Sequence, residues 1–383
     1  MKHPKKLSCA LTLVFAALAA TAPAARAEIT IGISLSQTGP SASLGIPQKN
    51  SLPFWPETIG GEKVRLVVLD DASDPTAATK NARRFVSEEK VDIILGSSSV
   101  APSIAMSEVA AEGKTVQIAF SPIELPKGKG EWTFRIAQPV GLMATAIVQR
   151  MREDKVKTVG FIGFADAYGE TWLKEFQLRA EAAGIQVVGV ERYARSDTSV
   201  MGQAIKLIAA RPQAVFIAGA GTAAALPQTT LRERGFTGAI YQTHGAATKD
   251  LIRVGGKAVE GTVLPAGPVL VAEQLDRANP VKAPALDYVT RYEKQHGPDS
   301  RTQFGAHAYD AQLVLKRIVP AALKKAKPGT PEFRQALKDA LETERDIVIS
   351  HGVLNYSATD HYGFDQRGFA LVRVSNGKWN VLK

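Results

Sequence analysis

Val91-Asp92-Ile93-Ile94-Leu95-Gly96-Ser97-Ser98-Ser99-Val100-Ala101-Pro102 is the stretch around which the rest of the chain can be read. Its first five residues are a largely apolar, β-branched run, which predicts a buried strand. Gly96 lets the backbone turn out of the sheet, and three serines follow. Pro102 then opens a helical pattern, Ser103 to Ala111, at a position where its missing N–H costs nothing. Hydroxyls and free amides at a helix N-terminus suit an anion, and a carboxylate is the commonest small one. The same serines also suit simple capping of the helix. Both readings stand on these residues alone.

Outward from this unit the pattern repeats. Ile29 to Leu35, Val64 to Asp70, Thr115 to Phe120 and Trp132 to Ile136 read as strands. Helical segments lie between or after them, one from Pro139 to about Asp154. The segment 41–61 carries Pro47, Pro53 and Pro56 and predicts a short, irregular helix. Asp74 before Pro75 has N-cap character. Asp70, Asp71 and Asp74 form a lone DDxxD, too few ligands to argue a cation site. After Lys155 the alternation starts again, with strands at Thr158–Gly163, Ile185–Glu191, Ala214–Ile217, Ile240–Tyr241 and Gly261–Leu264. Alternation of this kind predicts α/β lobes with parallel-rich sheets, and two successive units argue for two lobes. Beyond Glu273 three helices follow, and a hairpin is expected around Asn376-Gly377.

Composition narrows the function. Lys2, Lys5 and Lys6 precede an apolar run, Leu7 to Ala20, that is too short to span a bilayer. Ala25-Arg26-Ala27 then reads as a cleavage signal, so 1–27 is expected to be a signal peptide and the mature protein exported and soluble. The single cysteine, Cys9, lies inside that segment, so the mature chain can hold no disulfide and no thiolate metal site. The net charge of +10 includes four basic signal residues (Lys2, Lys5, Lys6, Arg26) and no signal acids, leaving +6. Those charges are scattered among acids, which excludes a nucleic-acid surface. No cofactor is expected. Gly219-Ala220-Gly221 resembles a dinucleotide fingerprint but lacks its third glycine and a following acid. No nucleophile elbow and no HExxH helix occur, so an enzyme is not expected.

Five segments together resemble a known family: Ile31-Gly-Ile-Ser-Leu-Ser-Gln-Thr-Gly-Pro40, Leu69-Asp-Asp-Ala-Ser-Asp-Pro75, the Gly96–Ser99 turn, Tyr168-Gly169, and Asp310. The chain is similar to exported solute-binding proteins of ABC importers, in the branched-chain amino-acid (Leu/Ile/Val) group. The resemblance implies a type I periplasmic-binding fold, two Rossmann-like lobes joined by a three-crossover hinge. The N-lobe would be 28–138 plus 272–352, and the C-lobe 139–271 plus 353–383. A small-molecule carboxylate would lie between the lobes, and a monomer would deliver it to an inner-membrane ABC permease. A ligand-sensing module of the same fold is the alternative role.

Carried over residue by residue, the resemblance implies that Ser97 supplies the key hydroxyl to the carboxylate, with Ser98 and Ser99 beside it. Ser121 and Ile123 open the loop after the fourth strand, Leu44 stands where an aromatic often lines the cleft, and Tyr168 is the C-lobe contact. Two positions depart from the family. His244 replaces the acid that pairs with the ligand ammonium, and Gly221 replaces a second aromatic. Both changes remove an ammonium site and make room, so the ligand is expected to be a carboxylate without an amine, of benzoate or cinnamate type. A true amino-acid binder is the competing reading.

Overall fold

The structure, a computed structural model, describes residues 28–382. The expected signal segment, 1–27, falls outside the described residues. One sheet takes β1 (Glu28–Leu35), β2 (Thr58–Ile59), β3 (Glu62–Asp70), β4 (Ile93–Gly96), β5 (Val116–Ala119) and β6 (Thr133–Arg135) in the order β2-β3-β1-β4-β5-β6. Every pairing in it is parallel except the two-residue β2–β3 edge. The crossovers are α1 (Ala42–Asn50), α2 (Pro75–Ser87) and α3 (Val100–Glu112). Parallel pairing buries both faces of the central strands, which is why β1 alternates nothing and is buried from Ile29 to Leu35.

A second sheet is built from β7 (Thr158–Phe164), β8 (Gln186–Tyr193), β9 (Ala214–Ala218), β10 (Ala239–Gln242) and β11 (Val263–Ala266). Around it lie α4 (Val140–Glu153), α5 (Ala167–Ala182), α6 (Met201–Ala209), α7 (Ala225–Glu233) and α8 (Lys249–Gly255). The late helices are α9 (Lys282–His296), α10 (Gln303–Leu323) and α11 (Pro331–Thr343). A small antiparallel pair follows, β12 (Ile347–Ile349) with β13 (Gly352–Leu354), and then β14 (Ala370–Ser375) and β15 (Lys378–Val381). The last two add antiparallel to β11, giving the order β15-β14-β11-β10-β9-β7-β8. Asn376 and Gly377 both take positive φ, 53° and 67°, as the two-residue hairpin turn requires.

Each sheet has its own apolar core. Ile29, Ile31 and Ile33 pack with Val314, Leu315 and Ile318 of α10 and with Phe333 and Leu337 of α11, so these late helices belong to the first lobe. Phe161, Phe176 and Phe216 centre the second core, the last two stacked at 4.4 Å. Each such ring buried is worth about 1.5–3 kcal/mol of transfer free energy.

The described chain passes between the lobes after β6, after β11 and before β14. The three passages meet: Gln138 Nε2 donates to the Gly368 carbonyl at 3.0 Å, and the Gly267 N–H donates to Gln303 Oε1 at 3.2 Å. Gly267 is glycine because a Cβ there would stand 2.3 Å from the His351 ring. The third passage differs from the expected boundary at 352. Leu354 and Tyr356 are fully buried in the first core and the Arg135 N–H donates to the His361 carbonyl, so the chain leaves that lobe only beyond Phe364.

Two local readings also shift. Helix α3 begins at Val100 and not at Ser103, because Ser99 is extended (φ −125°, ψ 162°) and stands as the N-cap, leaving Pro102 in the first turn. Asp92 precedes β4, and its buried carboxylate accepts from the Thr30 and Gly329 N–H groups, which explains a polar residue in an apolar run.

Candidate functional site

The carboxyl ends of both sheets face each other across an internal cavity with a free volume of about 20 Å³, room for about one water. The lobes therefore lie closed on one another. From the first lobe come Leu44 of α1, Ser98, Ser99 and Val100 at the start of α3, the turn Phe120-Ser121-Pro122, and Phe304 and His307 of α10. From the second come Tyr168 of α5, Arg195 after β8, Ala220, His244 and Gly245. Six residues singled out from sequence are thus brought together: Leu44, Ser98, Ser99, Ser121, Tyr168 and His244.

Three are not. Ser97 is fully buried beneath the cavity wall, and its hydroxyl donates to Asp71 Oδ2 at 2.6 Å. Asp71 also accepts from Ser34 Oγ at 3.0 Å, Ser36 Oγ at 2.8 Å and the Ser73 N–H at 3.0 Å. A hydroxyl has one hydrogen to give, so Ser97 Oγ cannot also donate to a ligand. Ile123 is fully buried in the second lobe's core, with its carbonyl accepting from Arg135 and Tyr362. Gly221 does not make room. It sits at φ +60° where a Cβ would stand 2.3 Å from Ser43 Oγ, so α1 already fills that space.

The simple capping reading of the serines is also replaced. Ser99 occupies the N-cap position, but its side chain makes no cap hydrogen bond. The Val100 and Ala101 N–H groups have no intrahelical acceptor, as in any first turn. Ser98 is committed, donating to Gln48 Oε1 at 2.5 Å and accepting from the Ser36 N–H at 3.0 Å. Ser121 Oγ donates to Ser103 Oγ at 2.7 Å, which in turn donates to the Ser97 carbonyl at 3.0 Å. What this wall offers an anion is the Ser99 hydroxyl and two amides.

Arg195 faces them. Its Nε donates to Asp166 Oδ2 at 2.6 Å, and its guanidinium lies 4.0 Å over the Phe164 ring. Among the described residues it is the only fully charged one lining the cavity, and none of the lining residues carries a carboxylate. Ser99, Val100 and Arg195 also wall a neighbouring cavity of about 110 Å³ that includes Asp166, so they mark one end of the site. His244, His307 and Phe304 line only the inner cavity.

Tyr168 offers a ring face more than a hydroxyl. Thr243 Oγ1 donates to the Gly219 carbonyl at 2.7 Å, so the Tyr168 hydroxyl donates to Thr243 at 2.8 Å. Burial pushes its pKa up to about 12. Gly245 allows this approach, since a Cβ there would stand 2.4 Å from the Tyr168 hydroxyl. His244 is buried, its pKa lowered to about 3 by desolvation first and by His351 second. His307 is lowered well below the usual imidazole value by desolvation first and then by His351 and His244, with the Phe120 carbonyl opposing weakly. Both are neutral at pH 7.

Arg195, Phe304 and His307 were not anticipated. Arg195 follows an edge strand and reads as one more surface base. Phe304 and His307 lie at i and i+3 in the first turns of α10, a spacing that signals one helix face but not what it faces.

Comparison with known proteins agrees with this architecture. A family model described as "Periplasmic binding protein" matches residues 28–378. A Leu/Ile/Val-binding protein homolog 3 of Brucella melitensis is 25% identical over 96% of this chain and 97% of its own. An extracellular ligand-binding receptor from Rhodopseudomonas palustris superimposes with a TM-score of 0.92 at 51% identity, over 93% of this chain and 99% of that one. A benzoate-bound solute-binding protein of an R. palustris ABC transporter, at 20% identity and TM-score 0.78 over 93% of this chain and 95% of its own, shares the fold. Proteins of this family bind solutes for transport and are not enzymes, and no described helix is long and apolar enough to cross a membrane. The chain belongs to the type I periplasmic binding proteins of the branched-chain amino-acid transport family.

Proposed function

We propose that this protein captures a small carboxylate that carries no amine, with an aromatic or similarly apolar body, for delivery to an inner-membrane ABC permease. The observation that carries this reading is the charge inventory of the cavity: one guanidinium, Arg195, and no carboxylate. An α-ammonium buried there would lack a counter-ion, at a cost of several kcal/mol. A carboxylate instead meets Arg195 from one lobe and Ser99 with the Val100 and Ala101 amides from the other, so ligand ties the lobes together. Leu44, Val100, Phe120, Tyr168 and Phe304 supply the apolar walls. Ser98, Ser121 and His244 complete the lining, while Ser97, Ile123 and Gly221 support it from behind. The small free volume means that the lobes part to admit a ligand and close over it.

An amino-acid binder is the second reading, and Asp166 favours it, lying beside the end of the cavity that Arg195 marks. Asp166 already accepts from Arg195 and from the Tyr168 and Gly169 N–H groups, which leaves it little capacity for an ammonium. A thermal-shift screen separates the two. One panel holds Leu, Ile, Val and other amino acids; the other holds benzoates, cinnamates and aliphatic acids. Ligand at 100-fold over its Kd stabilises by about 2.7 kcal/mol. A response to amino acids alone would overturn the proposal.

A further inference from the structure

The inner end of the cavity holds hydrogen-bonding capacity that nothing in the fold uses. His307 is 1% exposed, and neither ring nitrogen makes a hydrogen bond of ordinary geometry, the Phe120 carbonyl standing near it as only a weak acceptor. His244 is 2% exposed, and its Nδ1 has none. Behind them His351, fully buried, gives Nδ1 to Asp310 Oδ2 at 2.7 Å and leaves Nε2 unpartnered, its ring 4.5 Å from that of His307. Buried polar groups are nearly always paired and an orphan is destabilising, so a cluster of them calls for an occupant. The surroundings are rings: Tyr168 and Trp172 at 6.3 and 5.7 Å from His244, and Phe304 at 6.0 Å from His307.

We infer that His307 and His244 form a subsite for a hydroxyl on the ligand's apolar body, remote from its carboxylate, so that the preferred ligands are hydroxylated ring acids. This rests on the carboxylate reading above. A neutral imidazole presents one donor and one acceptor, and a hydroxyl is the substituent that answers both. A second carboxylate would need protonated imidazoles, which burial opposes, and an ammonium would sit there without a counter-charge. A metal ion does not fit: among the described residues no three His, Cys, Asp or Glu are arranged to hold one. The division of polarity is the basis for placing the two groups apart. Ser99 and Arg195 border the neighbouring cavity, whereas both histidines belong to the inner cavity alone.

The test is a ratio. Dissociation constants are measured by calorimetry at pH 7.5 for benzoate against 4-hydroxybenzoate and for cinnamate against 4-hydroxycinnamate. The hydroxylated member should bind at least about tenfold tighter in one pair, about 1.4 kcal/mol. In His307→Leu that ratio should fall to about one, and in His307→Gln, which keeps a donor and an acceptor, part of it should return. Circular dichroism and the melting temperature establish that each variant is folded, and the wild-type ratios need no variant at all. Equal binding within both pairs, as when a buried water fills the place, would overturn the subsite and leave the carboxylate reading intact. A preference that survives in His307→Leu would overturn it too. If neither member of either pair binds while an amino acid does, the carboxylate reading falls and the subsite with it.

Discussion

The two ends of the cavity treat buried polarity in opposite ways. At the serine turn, Ser34, Ser36, Ser97 and Ser98 are all buried and all partnered, three of them through the single carboxylate of Asp71. At the histidine end, ring nitrogens of His244, His307 and His351 are buried without hydrogen-bond partners. The serine hydroxyls are satisfied, although Gln48 Nε2 beside Ser98 is buried without a partner, and a network gathered on one carboxylate holds the mouth of α3 in one geometry. An unsatisfied one costs free energy until something answers it. The first is a platform and the second a receptor.

Removing the hub of the platform should have the largest effect. Asp71→Ala leaves the Ser34, Ser36 and Ser97 hydroxyls and the Ser73 N–H without their common acceptor, and should cost about 3 kcal/mol of stability or more in urea titration. A loss under about 1 kcal/mol would mean that the turn is held by packing alone.

Next is the charge that faces the platform. Arg195→Met keeps much of the stem that covers Phe164 and removes the guanidinium, and should weaken carboxylate binding by about 1.5–3 kcal/mol in calorimetry. The change also frees Asp166, so Asp166→Asn in the same background should not restore affinity. If it does, the loss came from the stranded acid and Arg195 only neutralises it.

The histidine end should make binding depend on pH. His244 has its pKa lowered to about 3 in the closed cavity, by burial and by His351. Parting the lobes lets water in and returns it toward the ordinary imidazole value of about 6.5. A base depressed in the closed state favours closure above that value and opposes it as pH falls below. The neighbouring groups are His351 with Asp310 behind it, the Tyr168 hydroxyl, and Arg195 at the far end; none is a free carboxylate that would welcome the proton. Affinity should therefore drop from pH 6.5 to 5.5 by up to about tenfold per histidine, and His244→Gln should flatten the slope. A flat wild-type profile would mean that the histidines stay buried when the lobes part.

How much of this was legible follows the range of the interactions. Local chemistry was: the strand–helix alternation, Asp74 capping α2 through the Ala77 N–H, and the Asn376-Gly377 turn are all set within a few residues. The meeting of Leu44, Tyr168 and His244 came from the family pattern and not from any spacing between them. What escaped was set by distant packing. Arg195 and His307 gain meaning only once β8 and the start of α10 are known to face one cavity. The β12–β13 pair is three residues to a strand, too short for an alternation to register. The return passage could not be placed because Leu354 and Tyr356 look like any apolar residues until the core that takes them is known.

Ser97 is where local reading and structure part most sharply, and it gives the smallest expected effect. A serine hydroxyl after a strand, before a helix and beside a cavity is the natural donor to a carboxylate, which would make Ser97→Ala costly for binding. In the structure that hydroxyl points to Asp71 and away from the cavity. Ser97→Ala should therefore lower stability by about 1 kcal/mol, through one lost donor among the four that Asp71 accepts, and should change carboxylate affinity by less than about twofold. Ser99→Ala, which touches no cap bond, should do the reverse, costing affinity while leaving the urea midpoint nearly in place. Measured together, the pair divides the wall into what holds it and what it holds. Should Ser97→Ala cost affinity and Ser99→Ala stability, the turn must rearrange when ligand arrives, and the platform is not rigid after all.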